Sequence, residues 1–103
     1  MKSPILLDVN TNKIIEINKP IFRIGREESN VDYTIDNTMV SRVHCDIIAK
    51  DGAYYIVDKN STNSTYMNGF RLDSYQEYPL QACSVLQLAG TPLLFLFSES
   101  EEQ

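Results

Sequence analysis

Three short polar segments of this chain carry the side chains that could bind an anion. An arginine follows a glycine at Gly25-Arg26, a second polar group stands at Ser41-Arg42-Val43-His44, and a third occupies residues 61–69. A guanidinium offers a planar fork of charged donors that can engage two oxygens at once, and short hydroxyl side chains can add further donors. These residue types suit the recognition of a group with a high negative charge and several acceptor oxygens.

The same residues do not form the pattern of a catalytic site. Ser41 and His44 are close in sequence, but a serine hydrolase also needs an oriented acid and an oxyanion hole. The sequence contains no nucleophile elbow, phosphate-binding P-loop or zinc-protease helix motif. Its single histidine and its two isolated cysteines, Cys45 and Cys83, leave no cluster that could hold a metal. We therefore expect no enzymatic activity, no metal and no cofactor; turnover that Ser41→Ala abolishes would contradict this.

Composition is that of a small globular domain. At 103 residues, with 43% hydrophobic and 22% charged residues, the chain is long enough for one domain with one core. The net charge of −5 argues against a nucleic-acid surface, so local donors must hold any bound anion. Isolated cysteines indicate reduced thiols in a cytosol, and the apolar run at residues 5–7 is too short for a signal peptide or a membrane span. We expect a cytoplasmic location, without contact between this segment and nucleic acid or membranes.

The segments between the polar groups read as short β-strands that would hold the loops in place. No long segment shows helical periodicity. Alternating or β-branched runs bounded by turn residues predict strands at residues 4–9, 13–17, 21–24, 31–35, 44–50, 53–58, 84–89 and 93–97. Asp51-Gly52 and Asn68-Gly69 are signals for two-residue hairpin turns, and residues 90–92 would join the last two strands. The prediction is an all-β sandwich, with a single domain over residues 1–97 and a flexible acidic tail at residues 98–103.

Taken together, the three polar segments resemble the signature of the forkhead-associated (FHA) domain, a module that recognises phosphothreonine. The matching residues are Gly25-Arg26, Ser41-Arg42-x-His44 and Ser61-Thr62-Asn63-x-Thr65-Tyr66-x-Asn68-Gly69. The core of the resemblance covers residues 22–72, and the strands on either side fill the places that this fold requires. The resemblance implies a two-sheet β-sandwich of short, mostly antiparallel strands, of the FHA/SMAD-like kind, with the binding loops at one apex.

The resemblance also implies roles in binding a phosphothreonine peptide. A phosphorylated side chain carries about −1.5 to −2 charges and three acceptor oxygens, which suits converging charged and hydroxyl donors. By resemblance, Arg26, Ser41 and Thr62 contact the phosphate, and Arg42 adds a further polar contact. Asn63 would grip the backbone of the extended peptide, because its carboxamide offers a donor and an acceptor together.

Four further residues would support the site rather than touch the peptide. By resemblance, His44 and Asn68 hydrogen-bond the loops into register. Gly25 permits a tight exit from its strand. Asn68 and Gly69 together would serve both as a hairpin turn and as support for the loop.

Two positions depart from the pattern of the family. The residue after Asn63 is commonly glycine and here is Ser64, so a positive φ at this position would strain the loop. Met39 stands two residues before Ser41, where some relatives carry an arginine that selects an acidic residue three positions past the phosphothreonine. We therefore predict an apolar or weak preference at that peptide position.

Other interpretations of the same residues stay open. Arg26 alone could be a solvated charge at a strand end, and Ser41 and Thr62 could be turn formers whose hydroxyls bond nearby backbone. A module with this fold could also bind its partner without phosphate, through a sheet face or by self-association. The motif favours a phosphorylation-dependent interaction module in serine/threonine kinase signalling. Its partner would be a phosphothreonine-containing protein or peptide, with a kinase and a phosphatase as upstream regulators.

Overall fold

The computed structural model describes residues 2–99, and within them the chain forms eleven β-strands. A 3-10 turn, Glu28–Asn30, is the only helical element in this range. The strands are β1 (Lys2–Asp8), β2 (Lys13–Glu16), β3 (Ile21–Gly25), β4 (Tyr33–Thr34), β5 (Cys45–Lys50), β6 (Ala53–Asp58), β7 (Thr65–Met67), β8 (Phe70–Arg71), β9 (Glu77–Pro79), β10 (Ser84–Leu88) and β11 (Thr91–Glu99). The described residues contain no helix long and apolar enough to cross a membrane.

The strands pair into two sheets. Six strands form one sheet in the order β2-β1-β11-β10-β7-β8, and five form the other in the order β4-β3-β5-β6-β9. The paired strands are antiparallel, apart from β3 and β4, which run parallel. The all-β, two-sheet sandwich that the sequence predicts is therefore confirmed.

The core lies between the sheets and follows from alternation along the strands. On β10, Leu86 and Leu88 are buried, whereas Val85 and Gln87 face solvent. Successive strand residues point to opposite faces, so one face of each sheet supplies the core. The apolar residues with no exposed surface form its centre: Leu6, Ile24, Cys45, Ile47, Ile56, Leu86, Leu88, Leu93 and Phe95.

Two-residue turns close three of the hairpins. Asp51-Gly52 has φ values of 55° and 78°, and Asn68-Gly69 has values of 52° and 85°, as type I′ turns require at both central positions. Both turn predictions are therefore confirmed. The last hairpin turns at Ala89-Gly90, with φ values of 50° and 83°, and not across residues 90–92. Alanine is a poor residue for positive φ, so this turn had a weaker sequence signal.

Strand β9 was absent from the prediction. It pairs with β6 at the edge of the five-stranded sheet, where Pro79 lies opposite Tyr55. An edge position tolerates proline, because the missing N–H would face outward. The polar stretch before it carries no apolar alternation, so only the pairing with β6 identifies the strand.

Strand β11 is longer than predicted. It continues through Ser98 and Glu99, which pair with Ser3 and Lys2 of β1. The prediction placed Ser98 and Glu99 in a flexible tail, but the ladder with β1 supplies backbone partners that composition does not reveal. Residues 100–103 of the predicted tail lie outside the described residues.

Candidate functional site

The end of the sandwich where β3 finishes carries the first two polar segments and residues 61–64 of the third. Arg26 follows β3 directly, and its backbone N–H donates to the carbonyl groups of Ser41 (3.0 Å) and Arg42 (3.1 Å). The connection between β6 and β7 reaches the same place, because the backbone N–H of Thr62 donates to the Ser41 hydroxyl (2.9 Å). The three loops are thus joined by direct hydrogen bonds around Ser41.

The backbone of Arg42 packs directly against Gly25. A Cβ atom added to Gly25 would lie 2.1 Å from the Arg42 carbonyl oxygen, closer than any real contact allows. Glycine is therefore required here because the second loop approaches the end of β3. The Arg42 carbonyl accepts from Arg26 and Glu27, while its side chain is exposed and makes no hydrogen bond to residues 2–99.

The donors that the sequence interpretation assigned to an anion keep free hydrogen atoms. Arg26 is exposed, and its Nε donates to the Val40 carbonyl (2.9 Å), which fixes the guanidinium while both terminal Nη groups make no hydrogen bond to residues 2–99. The Ser41 oxygen accepts the bond from Thr62, so the hydroxyl hydrogen of Ser41 remains available. The Thr62 hydroxyl is exposed and also unbonded within that range. Arg26, Ser41 and Thr62 can therefore each still donate to a ligand.

Asn63 links the second and third loops and keeps part of its carboxamide free. Its Nδ2 donates to the carbonyl of Met39 (2.8 Å). Its Oδ1 accepts no hydrogen bond from the described residues, so it can accept one from a ligand N–H. The Met39 side chain beside it is 56% exposed, which leaves an apolar group open at this part of the site.

His44 lies buried beneath the loops and connects two of them. The backbone N–H of Ser41 donates to Nδ1 (3.1 Å), and Nε2 lies 2.9 Å from the carbonyl oxygen of Ser64. Since Nδ1 accepts, the proton of the neutral ring is on Nε2 and is donated to Ser64. Burial lowers the pKa of His44, and the bond to Ser64 and the charge of Asp58 offset this only in part. The ring is therefore uncharged at neutral pH.

Ser64 adopts the backbone conformation for which glycine is the usual residue. Its φ is 68°, in the left-handed region that costs a non-glycine residue energy. The hydroxyl of Ser64 accepts a hydrogen bond from Arg71 Nε (3.0 Å), and its carbonyl accepts from His44. The strain foreseen for this position is thus present, and contacts on both sides of the residue hold it.

The sequence interpretation missed Asp58, which it treated as the end of a strand. The carboxylate is 1% exposed and accepts four hydrogen bonds, from the Ser61 backbone N–H, the Ser61 hydroxyl, the Thr65 hydroxyl and the Ser74 hydroxyl. Burial raises the pKa of Asp58, but these bonds outweigh it and hold the pKa below its usual value. Aspartate side chains often accept hydrogen bonds from nearby backbone N–H groups, and the position of Asp58 at the start of a loop rich in hydroxyl residues could have indicated this role.

Asn68 and Gly69 form the predicted turn, but Asn68 does not bond to the binding loops. Its Oδ1 accepts from the backbone N–H of Val85 (2.8 Å), and its backbone N–H donates to the Val85 carbonyl (2.8 Å). Both bonds extend the pairing of β7 with β10. The support role expected for Asn68 is therefore corrected: it fixes the β7–β8 hairpin on the six-stranded sheet.

A comparison of sequences finds relatives that share one domain. The sequence model of the FHA domain matches residues 22–89. Protein FraH of Nostoc sp. is 34% identical over 85 residues, which are 82% of this chain and 29% of FraH. The chain thus spans less than a third of the length of that curated relative.

A comparison of structures finds the same fold. The solution structure of the FHA domain of an Arabidopsis thaliana hypothetical protein superimposes with a TM-score of 0.89 and 25% identity, covering 100% of this chain and 92% of that one. The crystal structure of the MEK1 FHA domain in complex with a phosphothreonine peptide of HOP1 has a TM-score of 0.81 and 27% identity, covering 96% of this chain and 100% of that one. Both superpositions cover nearly the whole chain, and so include both sheets and the loops between them.

Proposed function

The chain belongs to the FHA domain family, and on that basis we propose that it is a phosphorylation-dependent interaction module that binds phosphothreonine peptides across its three loops. It binds its ligand and carries out no reaction. The MEK1 FHA domain, which is similar over nearly the whole chain, holds a phosphothreonine peptide in its crystal structure. That likeness supports the proposal, together with the free donors at the loops.

The phosphate would be held by Arg26, Ser41 and Thr62. The Arg26 guanidinium offers its two terminal Nη groups, and the two hydroxyls offer one hydrogen each. Hydrogen bonds to a charged group contribute about 1.5 to 3 kcal/mol each, roughly twice the value of neutral ones. Three such residues can bind a phosphate even though the protein carries a net charge of −5.

Asn63 and Arg42 would contact the remainder of the peptide. The free Oδ1 of Asn63 can accept a backbone N–H from an extended chain, which fixes the peptide without reading its side chains. Arg42 is exposed beside the phosphate-binding residues, where its guanidinium adds positive charge. Exposed Met39 supports the predicted apolar or weak preference three positions past the phosphothreonine. Strong aspartate selection there, in an oriented phosphothreonine peptide library, would contradict that preference.

The observation that carries the proposal is the anchoring of Arg26, whose Nε is bonded to Val40 while its Nη groups stay free. The test is a calorimetric titration with a phosphothreonine peptide selected from the library and with its unphosphorylated twin. We expect binding of the phosphorylated peptide alone, and a loss of about a hundredfold in affinity for Arg26→Ala, since about 3 kcal/mol of hydrogen bonding is removed. As a control, Lys2→Ala removes one positive charge from the exposed first residue of β1, outside the three loops. This variant should leave the affinity for the phosphothreonine peptide unchanged.

The competing function is binding of a partner without phosphate. If the twin peptides bind equally, or if binding survives Arg26→Ala, the phosphate pocket plays no part and the competing function is favoured. If phosphate-dependent binding is found, the biological role that fits it is assembly of a complex in the cytoplasm, downstream of a serine/threonine kinase and reversed by a phosphatase. In this proposal residues 1–97 act as a single binding domain.

A further inference from the structure

The chain has four arginines, and only one of them forms an ion pair within the described residues. Arg23 pairs with Asp46, whereas Arg26, Arg42 and Arg71 pair with no carboxylate in residues 2–99. Carboxylates outnumber cationic side chains by 14 to 9 in this sequence, so partners within the chain are plentiful. A guanidinium without one is open to a carboxylate or phosphate from outside. Two of the three already belong to the proposed site, and Arg71 has no role so far.

The guanidinium of Arg71 is held beside the third loop. Arg71 is exposed on edge strand β8, and its Nε donates to the Ser64 hydroxyl (3.0 Å). Both of its terminal Nη groups make no hydrogen bond to residues 2–99. Arg26 shows the same arrangement, because its Nε is bonded to Val40 while its Nη groups stay free. The two side chains are therefore fixed at Nε and open at Nη.

The anchor of Arg71 depends on the residue by which this chain departs from the family pattern. Glycine at position 64 would have no hydroxyl, so Arg71 would lose the bond that fixes its guanidinium. Serine at a φ of 68° costs energy that glycine would not. The departure at Ser64 thus brings a third unpaired arginine to the binding loops.

Arg71 lies close enough to the phosphate-binding residues to contact the same peptide. Ser64 is two residues after Thr62, so their Cα atoms are at most about 7 Å apart. The ring of His44 alone connects the Ser64 carbonyl to the backbone N–H of Ser41. An extended peptide advances about 3.3 Å per residue. Arg71 can therefore reach a peptide side chain about two or three positions from the phosphothreonine.

Met39 and Arg71 stand on opposite sides of β7, the strand into which the third loop leads. Asn37, two residues before Met39, donates to the carbonyl of Ala89 at the end of β10 (3.0 Å). Arg71 is on β8, and β7 separates β8 from β10. Since Met39 is assigned to the peptide position three past the phosphothreonine, Arg71 faces the residues that precede it.

We propose that Arg71, positioned by Ser64, binds an acidic side chain two or three residues before the phosphothreonine. The site then selects its peptide by a carboxylate as well as by the phosphate. This inference rests on the proposed function and names the class of peptide that the same site prefers. The contact is exposed to solvent, where an ion pair changes affinity by about fivefold at most. It therefore contributes specificity more than affinity.

The test begins with an oriented phosphothreonine peptide library, followed by calorimetry on two phosphopeptides that carry aspartate or asparagine at the selected position. The original chain should prefer the aspartate peptide about fivefold. This comparison changes only the peptide, so it does not depend on the folding of any variant.

Three variants locate the source of this preference. Arg71→Gln should abolish the preference for aspartate. Ser64→Ala keeps the charge of Arg71 but removes its anchor, so the preference should fall to about twofold. Lys2→Ala removes a positive charge outside the loops and should keep the full preference.

Each contrary result has a distinct meaning. Equal affinity of the original chain for both peptides, or a preference that survives Arg71→Gln, would overturn the proposal. So would an equal loss of affinity for both peptides in Arg71→Gln, because Arg71 would then contact the phosphate. A full preference in Ser64→Ala would refute the positioning role of Ser64. Phosphate-dependent binding without selection of an acidic residue leaves the proposed function intact, whereas equal binding of phosphorylated and unphosphorylated peptides removes both.

Discussion

The exposed surface of the binding loops and the layer directly beneath it are built in opposite ways. In the exposed layer, Arg26 and Thr62 keep hydrogen-bond donors free. In the layer beneath, His44, Asp58 and Thr65 are buried. His44 bonds to the backbone of Ser41 and Ser64, and Asp58 accepts a hydrogen bond from the Thr65 hydroxyl. No buried side-chain nitrogen or oxygen within residues 2–99 lacks a partner. The site thus combines unsatisfied groups that face solvent with fully satisfied groups that face the core.

The difference predicts that ligand affinity and the free energy of unfolding can be changed separately in this domain. A free donor costs nothing while water can bond to it, but a buried one without a partner costs about 1 to 3 kcal/mol. Substitutions in the exposed layer should therefore change ligand affinity alone. Substitutions in the buried layer should lower the free energy of unfolding first, and affinity only through displaced loops.

The largest expected effect in the buried layer is that of Asp58→Ala. Removing the carboxylate leaves donors of Ser61, Thr65 and Ser74 without their acceptor. We expect the free energy of unfolding to fall by about 3 kcal/mol, because the buried Thr65 hydroxyl cannot form a replacement hydrogen bond with water. Urea denaturation measures this loss. A decrease below about 1 kcal/mol would show that the loop relaxes and that the two layers are not distinct.

Thr62→Val is the matched substitution in the exposed layer, since it removes a hydroxyl and keeps the volume of the side chain. Its stability should stay within about 0.5 kcal/mol of the original chain, because the hydroxyl has no partner among the described residues. Affinity for the phosphothreonine peptide should fall about tenfold with the loss of one charge-assisted hydrogen bond. A loss of stability larger than the loss of binding energy would break the comparison.

The third prediction concerns His44 and pH. Because burial lowers the pKa of His44 in the folded protein below its unfolded value of 6.5, the unfolded chain takes up the proton first as pH falls. The contribution of neutral His44 to stability is complete above the unfolded pKa and decreases as pH falls below it toward the folded pKa. The slope for one proton cannot exceed about 1.4 kcal/mol per pH unit.

Urea denaturation between about pH 7.5 and 5.5 measures this dependence. The lowered pKa values of Asp32 and Asp58 act only in more acidic solution, so they do not mask it. His44→Gln should flatten the profile in this range. An equally steep profile in that variant would exclude His44 as its source.

The smallest expected effect is that of Ser64→Gly. Ser64 lies between the two layers, in contact with buried His44 and exposed Arg71. Glycine removes the cost of a positive φ, about 1 kcal/mol, but increases the entropy of the unfolded chain and loses the contact with Arg71. We expect a net gain in stability of about 0.5 kcal/mol, measured by thermal unfolding. A loss would mean that the bond from Arg71 to Ser64 is what holds the third loop.

The features that could be predicted from the sequence are those with local causes. The hairpin around Asp51-Gly52 follows from a turn dipeptide and alternating flanks, and Gly25, Ser41 and Thr62 follow from a motif with fixed spacing. The features that escaped prediction have non-local causes. Strand β9 exists because β6 offers it an edge, and β11 extends to Glu99 because β1 pairs with it.

By itself, the sequence determined that the chain forms a β-sandwich with donors on three loops, since alternation, turn residues and motif spacing act over a few residues. Only the tertiary structure decided which of those donors stay free, because this depends on partners far along the chain, such as Val40 for Arg26 and Met39 for Asn63. The type of each side chain can be read from the sequence, but its hydrogen-bond partners depend on the folded chain.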